Sequence, residues 1–305
     1  MAVGFLFPGQ GSQQVGMLQD FQSTSPIFNE RIQEASAVLG EDLGVLINEG
    51  PAERLNQTEI TQPALLCLSV ALFEYWLSVG GSEPVAVAGH SLGEYSALTA
   101  VGVFNFSDAV KLVNERGKIM QSAVPVGTGG MAAVVGLAIK DIESACEAID
   151  EVVAPANINT DTQVVIAGTT AGIEKATDAL KEHGAKRVIP LAVSVPSHSV
   201  LMEPTMEGVA ELLDSVTINT PKVPVYQNVD ASPYQDIESI RKNLIAQLYS
   251  PVRWRDTFSN MVSAGCDIFF ECGPGRVLSG IARQIDRSAT TTSLGTLENF
   301  QSALG

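Results

Sequence analysis

The chain reads as an α/β protein with a mostly parallel sheet and an inserted ferredoxin-like α+β subdomain. Three observations predict this. Short apolar runs at Val3–Phe7, Val85–Ala88 and Asp267–Glu271 alternate with segments of helical period, the order that builds parallel sheets. A serine stands between two glycines directly after the second run, in Gly89-His90-Ser91-Leu92-Gly93, where a strand would turn sharply into a helix. From the Gly-rich run Gly127-Thr128-Gly129-Gly130 to about Val193, the texture changes to a compact strand–helix–strand–strand–helix–strand order, as in ferredoxin-like units.

The first strand is expected at Val3–Phe7. Leu65, Leu68, Leu72, Tyr75 or Trp76 and Val79 recur at helical spacing, which predicts a helix over Pro63–Val79, with Pro63 tolerated near its first turn,. It leads straight into the strand Val85–Ala88. Further helices are expected at Ser107–Met120, Ser239–Leu248 and Val277–Ile285, the last opened by the turn Gly273-Pro274-Gly275,. In the insertion the expected elements are strand Met131–Leu137, helix Asp141–Ile149, strands Val152–Ala156 and Gln163–Gly168, helix Ile173–His183 and strand Arg187–Leu191. The domain division is therefore a discontinuous core, 1–126 with 193–305, and a subdomain, 127–192, beside which a cleft should form.

Composition narrows the function classes. The 305 residues are 45% hydrophobic and 17% charged, enough apolar content for a large core,. A net charge of −16 argues against nucleic acid as a partner,. No run approaches the ~18 consecutive apolar residues of a membrane span, and the start lacks the basic character of a signal peptide, so no membrane partner and a cytoplasmic location are expected. Cys67, Cys146, Cys266 and Cys272 are widely spread without metal-ligand spacing. They are expected to be reduced, buried thiols, with no metal site.

The Gly-flanked serine points to acyl-transfer chemistry. At a sharp strand-to-helix turn Ser91 would sit at a helix N-terminus, where unpaired N–H groups and the helix dipole suit a developing oxyanion. A plain tight turn with an N-capping serine is the alternative. A serine nucleophile needs a base, and the chain has three histidines,. His90 adjoins Ser91 but should point away from it and support the elbow; His183 ends an expected surface helix. His198 remains, in Val193-Ser194-Val195-Pro196-Ser197-His198-Ser199, where a proline-stiffened loop follows a strand-like run,. The group that orients this imidazole stays open: an aspartate, or a carbonyl that would make a Ser–His dyad. The Gly-rich turn Phe7-Pro8-Gly9-Gln10-Gly11-Ser12-Gln13 could present a backbone N–H to the same cleft, and it lacks the lysine of a nucleotide loop,. Arg116, in Asn114-Glu115-Arg116-Gly117-Lys118, looks like a solvated helix arginine.

Taken together, Pro8–Gln13, Thr61-Gln62-Pro63-Ala64, Gly89–Glu94, Arg116, Val195–Ser199, Gln247 and Gly273-Pro274-Gly275 resemble, nearly end to end and in order, the malonyl-CoA:acyl-carrier-protein transacylases. That resemblance implies an [acyl-carrier-protein] S-malonyltransferase serving fatty acid synthesis, working by ping-pong through a malonyl-serine, with malonyl-CoA as substrate and no cofactor of its own. It implies a hydrolase-like core carrying the ferredoxin-like insertion, with Ser91 as nucleophile, His198 as general acid/base, and the backbone N–H groups of Gln10 and Leu92 as oxyanion hole. It also implies that Gln247, in the helix before Tyr249-Ser250-Pro251, orients His198 through its main-chain carbonyl, and that Arg116 grips the malonyl carboxylate. The partner implied is holo acyl carrier protein. An acidic carrier would be repelled by the net charge unless basic residues gather locally; Lys186 and Arg187 are the expected docking point, with Arg253, Arg255, Arg283 and Arg287 as further candidates,. A monomer is expected. The competing readings are a serine esterase or thioesterase with a catalytic aspartate and no use for Arg116, and an acyltransferase of a polyketide or malonate decarboxylase system.

Overall fold

The computed structural model describes residues 2–125, 127–191, 193 and 195–305. The expected domain-boundary residues Val126 and Ala192, and Ser194 in the run before His198, lie outside them. Among the described residues ten strands form, β1 (Val3–Phe7), β2 (Ala86–Gly89), β3 (Gly129–Val135), β4 (Val153–Thr160), β5 (Gln163–Thr169), β6 (Arg187–Pro190), β7 (Val225–Tyr226), β8 (Pro233–Tyr234), β9 (Ile268–Glu271) and β10 (Thr290–Ser293). Six make a sheet ordered β10-β9-β1-β2-β7-β8, parallel except for the β7–β8 pair.

β1 lies inside this sheet with every residue buried. A strand covered on both faces needs continuous apolar sequence. Phe5 and Phe7 join the layer containing Phe73, Trp76 and Phe270, while Leu6 joins the opposite layer with Trp254, Phe258 and Phe269. The Phe5 and Phe73 rings meet edge to face at 5.2 Å, a geometry that aromatic quadrupoles favour. All four cysteines are buried and unbridged.

The helix expected at Pro63–Val79 spans Thr58–Ser78, so Pro63 falls inside it. An internal proline leaves the carbonyl four residues back without its helical donor. Here that carbonyl belongs to Glu59, and the Asn114 side chain donates to it at 2.6 Å. A side chain from the neighbouring helix Phe106–Ser122 thus replaces the missing bond, which lets the helix continue through the proline. By length and composition Thr58–Ser78 would cross a bilayer, but 83% of its apolar window is buried inside the protein, which makes it a core helix.

The insertion has the expected element order. Its four strands pair antiparallel in the order β4-β5-β3-β6, with helices Ile139–Glu147 and Thr170–Glu182 sharing their apolar core. β4 runs four residues past its expected end at Ala156. The extra residues Asn157–Thr160 stay extended because their backbone finds partners both on β5 and on the main body. Ile158 N–H donates to Val252 O and Val252 N–H to Ala156 O, both at 2.8 Å, a parallel bridge between the two parts. Among the described residues, Val193 and Val195 belong to no strand.

Asn114→Ala should lower the unfolding free energy by about 1–3 kcal/mol, the cost of a buried carbonyl left without a donor. Urea denaturation checks this; a loss below about 0.5 kcal/mol would mean that the Asn114 bond does not support the proline turn.

Candidate active site

β2 ends at Gly89 and the helix Leu92–Ala100 begins two residues after His90, so the chain must reverse within His90-Ser91. Ser91 takes φ 52° and ψ −109°, a sparsely populated conformation for an L-residue that costs about 1–3 kcal/mol. The turn closes only because its flanks are glycine. A Cβ on Gly89 would lie 1.9 Å from the Gly93 carbonyl, and one on Gly93 would lie 2.0 Å from the Phe7 oxygen. The Ser91 side chain makes no capping bond to its helix. Instead its Oγ lies 2.7 Å from His198 Nε2.

Two further contacts hold His198. Its backbone, at φ 63°, donates to Leu248 O at 2.9 Å, and its Nδ1 lies 2.7 Å from Gln247 O. A carbonyl only accepts, so Nδ1 carries the proton and Nε2 is left to accept from the serine hydroxyl. Gln247 was expected within a helix, but the helix is Ile237–Ala246 and Gln247 is its C-cap. The carbonyl of a capping residue lacks an intrahelical donor, and the residue four positions on is Pro251, which has no N–H. The carbonyl that would orient His198 is free for this local reason.

Arg116 departs furthest from its local appearance. It is fully buried, on the helix face shared by Val113 and Met120. Its Nη1 donates to Gln62 Oε1 at 2.8 Å and its Nη2 to Gln247 Oε1 at 3.0 Å, and the guanidinium lies 5.0 Å from the Tyr95 ring centre. Among the described residues no acidic side chain comes within ion-pair distance of it, and its Nε has no partner. Burying a guanidinium costs several kcal/mol unless it is paired, so a site of neutral amides around Arg116 favours a bound carboxylate. Gln247 Nε2 also donates to Ser91 O at 3.1 Å. A single residue therefore connects the imidazole, the elbow backbone and the guanidinium.

Gln10 follows β1, whose Phe7 pairs with Gly89, and the same turn places Pro8 O 3.0 Å from where a Gly93 Cβ would be. The loop carrying Gln10 thus lies against the elbow. Leu92 is the first residue of its helix, so its N–H has no intrahelical acceptor,. The Ser91 N–H, by contrast, donates to Asn228 Oδ1 at 2.7 Å.

The family model for the acyl transferase domain matches residues 4–302. The chain belongs to the acyl transferase domain family. It is 50% identical over 302 residues to the malonyl CoA-acyl carrier protein transacylase of Escherichia coli K12, covering 98% of each chain. Among solved structures it resembles an acyl carrier protein S-malonyltransferase from Vibrio cholerae, with 45% identity, a TM-score of 0.96 and 99% of each chain covered. It likewise resembles a malonyl-transacylase in complex with its holo type II polyketide acyl carrier protein, with 45% identity, a TM-score of 0.98 and coverage of 100% of this chain and 99% of that one.

In this acyl transferase the other two histidines stand apart from the serine hydroxyl. His90 Nε2 lies 2.9 Å from Asn159 Oδ1 on β4, its ring against Trp254, and His183 caps an exposed helix end. Sequence reasoning assigned no role to Gln62, Glu94, Gln227 or Asn228. All four are buried polar residues of the site's surroundings. Glu94 Oε2 accepts from Asn228 N–H at 2.8 Å and its Oε1 from Gln227 Nε2 at 3.0 Å. Burial pushes the Glu94 carboxyl up to about 7, against the pull of these donors. The one signal available was that Glu94, the only charged residue of the helix Leu92–Ala100, needed buried partners,.

Burial, reinforced by the nearby Arg116 charge, lowers the His198 imidazole from 6.5 to about 3, while the Gln247 carbonyl pulls the other way. The folded value lies below the unfolded one, so the unfolded chain binds the proton first. This residue therefore removes stability as pH falls from about 6.5 towards about 3,. The His198 ring protons followed by NMR should keep their neutral-imidazole shift down to about pH 5; a titration centred near 6.5 would contradict the burial argument.

Proposed function

We propose that this acyl transferase moves malonyl from malonyl-CoA to the phosphopantetheine thiol of acyl carrier protein by a ping-pong route, supplying fatty acid synthesis. The observation that carries the reading is Gln247. It joins a Ser91–His198 pair at 2.7 Å to a buried arginine with only neutral partners. The first part supplies a nucleophile and its base, and the second selects an acyl group that ends in a carboxylate.

In the proposed sequence Ser91 Oγ attacks the thioester carbonyl and its proton passes to His198 Nε2. The Leu92 and Gln10 N–H groups receive the oxyanion, the Ser91 N–H being already engaged by Asn228,. His198 returns the proton to the departing coenzyme A sulfur, leaving malonyl on Ser91. The carrier thiol then gives its proton to His198 and attacks the ester carbonyl, and as the bond to Ser91 Oγ breaks His198 returns that proton to the serine, leaving malonyl on the carrier sulfur. Throughout, the planar Arg116 fork binds the malonyl carboxylate at two points, a match that acetyl cannot make. The backbone carbonyl at His198 Nδ1 favours this over the esterase reading, which calls for an aspartate there. The division at 127–192 remains part of the proposal, the subdomain forming one wall of the cleft.

For the carrier, Lys186 and Arg187 are the proposed docking point. Both are exposed, and neither forms an ion pair among the described residues. Arg283, with Arg276, lines a cavity of about 420 Å³ and is likewise without an acidic partner among the described residues. Arg253 and Arg255 are less suited, because Asp256 and Asp161 already engage them.

Intact-protein mass after brief exposure to malonyl-CoA tests the reaction. A malonyl adduct should form and then move to holo carrier on its addition; free malonate with an unloaded carrier would replace this proposal with a hydrolase. Ser91→Ala should abolish the adduct. Arg116→Ala should slow malonyl transfer by roughly 10–100-fold, the worth of a charge-assisted pair, while sparing acetyl transfer; equal losses would remove the clamp. Charge reversal at Lys186 and Arg187 should raise the carrier KM with salt-sensitive kinetics and leave adduct formation from malonyl-CoA unchanged.

A further inference from the structure

Asn228, in the turn between β7 and β8, is fully buried, and each of its polar groups is engaged. Its backbone N–H goes to Glu94 Oε2 at 2.8 Å and its carbonyl accepts from Arg253 N–H at 3.0 Å. Its side chain spans the elbow. Nδ2 donates to Gly89 O at 2.7 Å, and Oδ1 accepts from Ser91 N–H at 2.7 Å, with Gln247 Nε2 at 3.4 Å from the same oxygen. The side-chain amide thus satisfies the two backbone groups that the reversal at Ser91 removes from regular pairing.

We propose that Asn228 is a positioning residue, a two-point amide clamp that holds Ser91 in its strained backbone conformation and so aims Oγ at His198. A residue at φ 52° relaxes unless its surroundings over-determine it,. Gly89 and Gly93 only permit the conformation by staying out of the way. Asn228 selects it, because both its bonds are met only when the Gly89 carbonyl and the Ser91 N–H face the same side. Glu94 lies in the first turn of the helix that leaves the elbow and holds Asn228 by its backbone, so the clamp is anchored on the element it shapes. The clamp also commits the Ser91 N–H, leaving the next N–H, that of Leu92, for an oxyanion. This inference rests on Ser91 being the nucleophile of the proposed transfer.

The test compares single-turnover acylation of Ser91 by malonyl-CoA with its phosphonylation by a small fluorophosphonate, which requires the serine–histidine pair and no thioester. In Asn228→Ala both rate constants should fall about 100-fold, the usual effect of a misdirected nucleophile, while half-saturation by malonyl-CoA stays within about threefold. Asn228→Asp keeps the shape and the acceptor for Ser91 N–H but turns an oxygen towards Gly89 O. It should lose rate in both reactions, and it carries the test if the alanine variant does not fold. Rates within about threefold of the parent in either folded variant, measured well below its melting temperature, would overturn the clamp, as would a loss confined to half-saturation. If the parent protein is phosphonylated but never malonylated, the transfer reading falls, and the phosphonylation ratio still decides the clamp.

Discussion

The near-contact of three backbone segments at Phe7, Gly89 and Gly93 is the constraint on which the rest of the site depends. With 1.9 Å and 2.0 Å between hypothetical Cβ atoms and neighbouring carbonyl groups, β1, β2 and the helix Leu92–Ala100 meet as closely as backbone allows. That closeness produces the strained serine, directs its hydroxyl out of the helix, and leaves the first helical N–H unpaired,. A side chain at either glycine would push the helix off the strand and remove all three features together.

Strain at one residue has to be supported by rigidity around it, and here the support is polar and buried. Asn228, Gln247, Glu94, Gln227, Gln62 and Arg116 form a hydrogen-bonded patch beneath the elbow. Such networks specify one geometry when they are satisfied and are costly when they are not. Most of these groups are paired. The exceptions include Arg116 Nε and Gln227 Oε1, and the first of these lies on the cation to which the proposal assigns a carboxylate.

Much of the architecture was legible because local chemistry dictates it. β1 and the helix Val277–Ile285 have their expected bounds, since each is a strongly periodic or continuous apolar segment with a Gly/Pro turn at one end, after β1 and before the helix. The insertion's element order was equally plain. Misreadings occurred where a distant partner outweighed a local rule. Pro63 marks a helix start by propensity, but Asn114 from another helix satisfies the Glu59 carbonyl and the helix begins earlier. The strand expected to end at Ala156 runs on to Thr160, because Val252 and β5 supply it with ladder bonds.

By itself the sequence determined the α/β class, the Gly-x-Ser-x-Gly reversal and, through residue order alone, its resemblance to an acyl transfer family. These are matters of local periodicity, of steric freedom and of one-dimensional pattern. Tertiary structure decided what each polar residue faces. Arg116 resembles any helix arginine beside Glu115 and Lys118, yet it turns inward on the face shared by Val113 and Met120. Asn228 lies 137 residues from the serine whose N–H it accepts, and nothing near it in the chain marks that role. Hydrogen-bond partners are chosen by packing, and packing brings together segments whose separation along the chain carries no information about their distance in space.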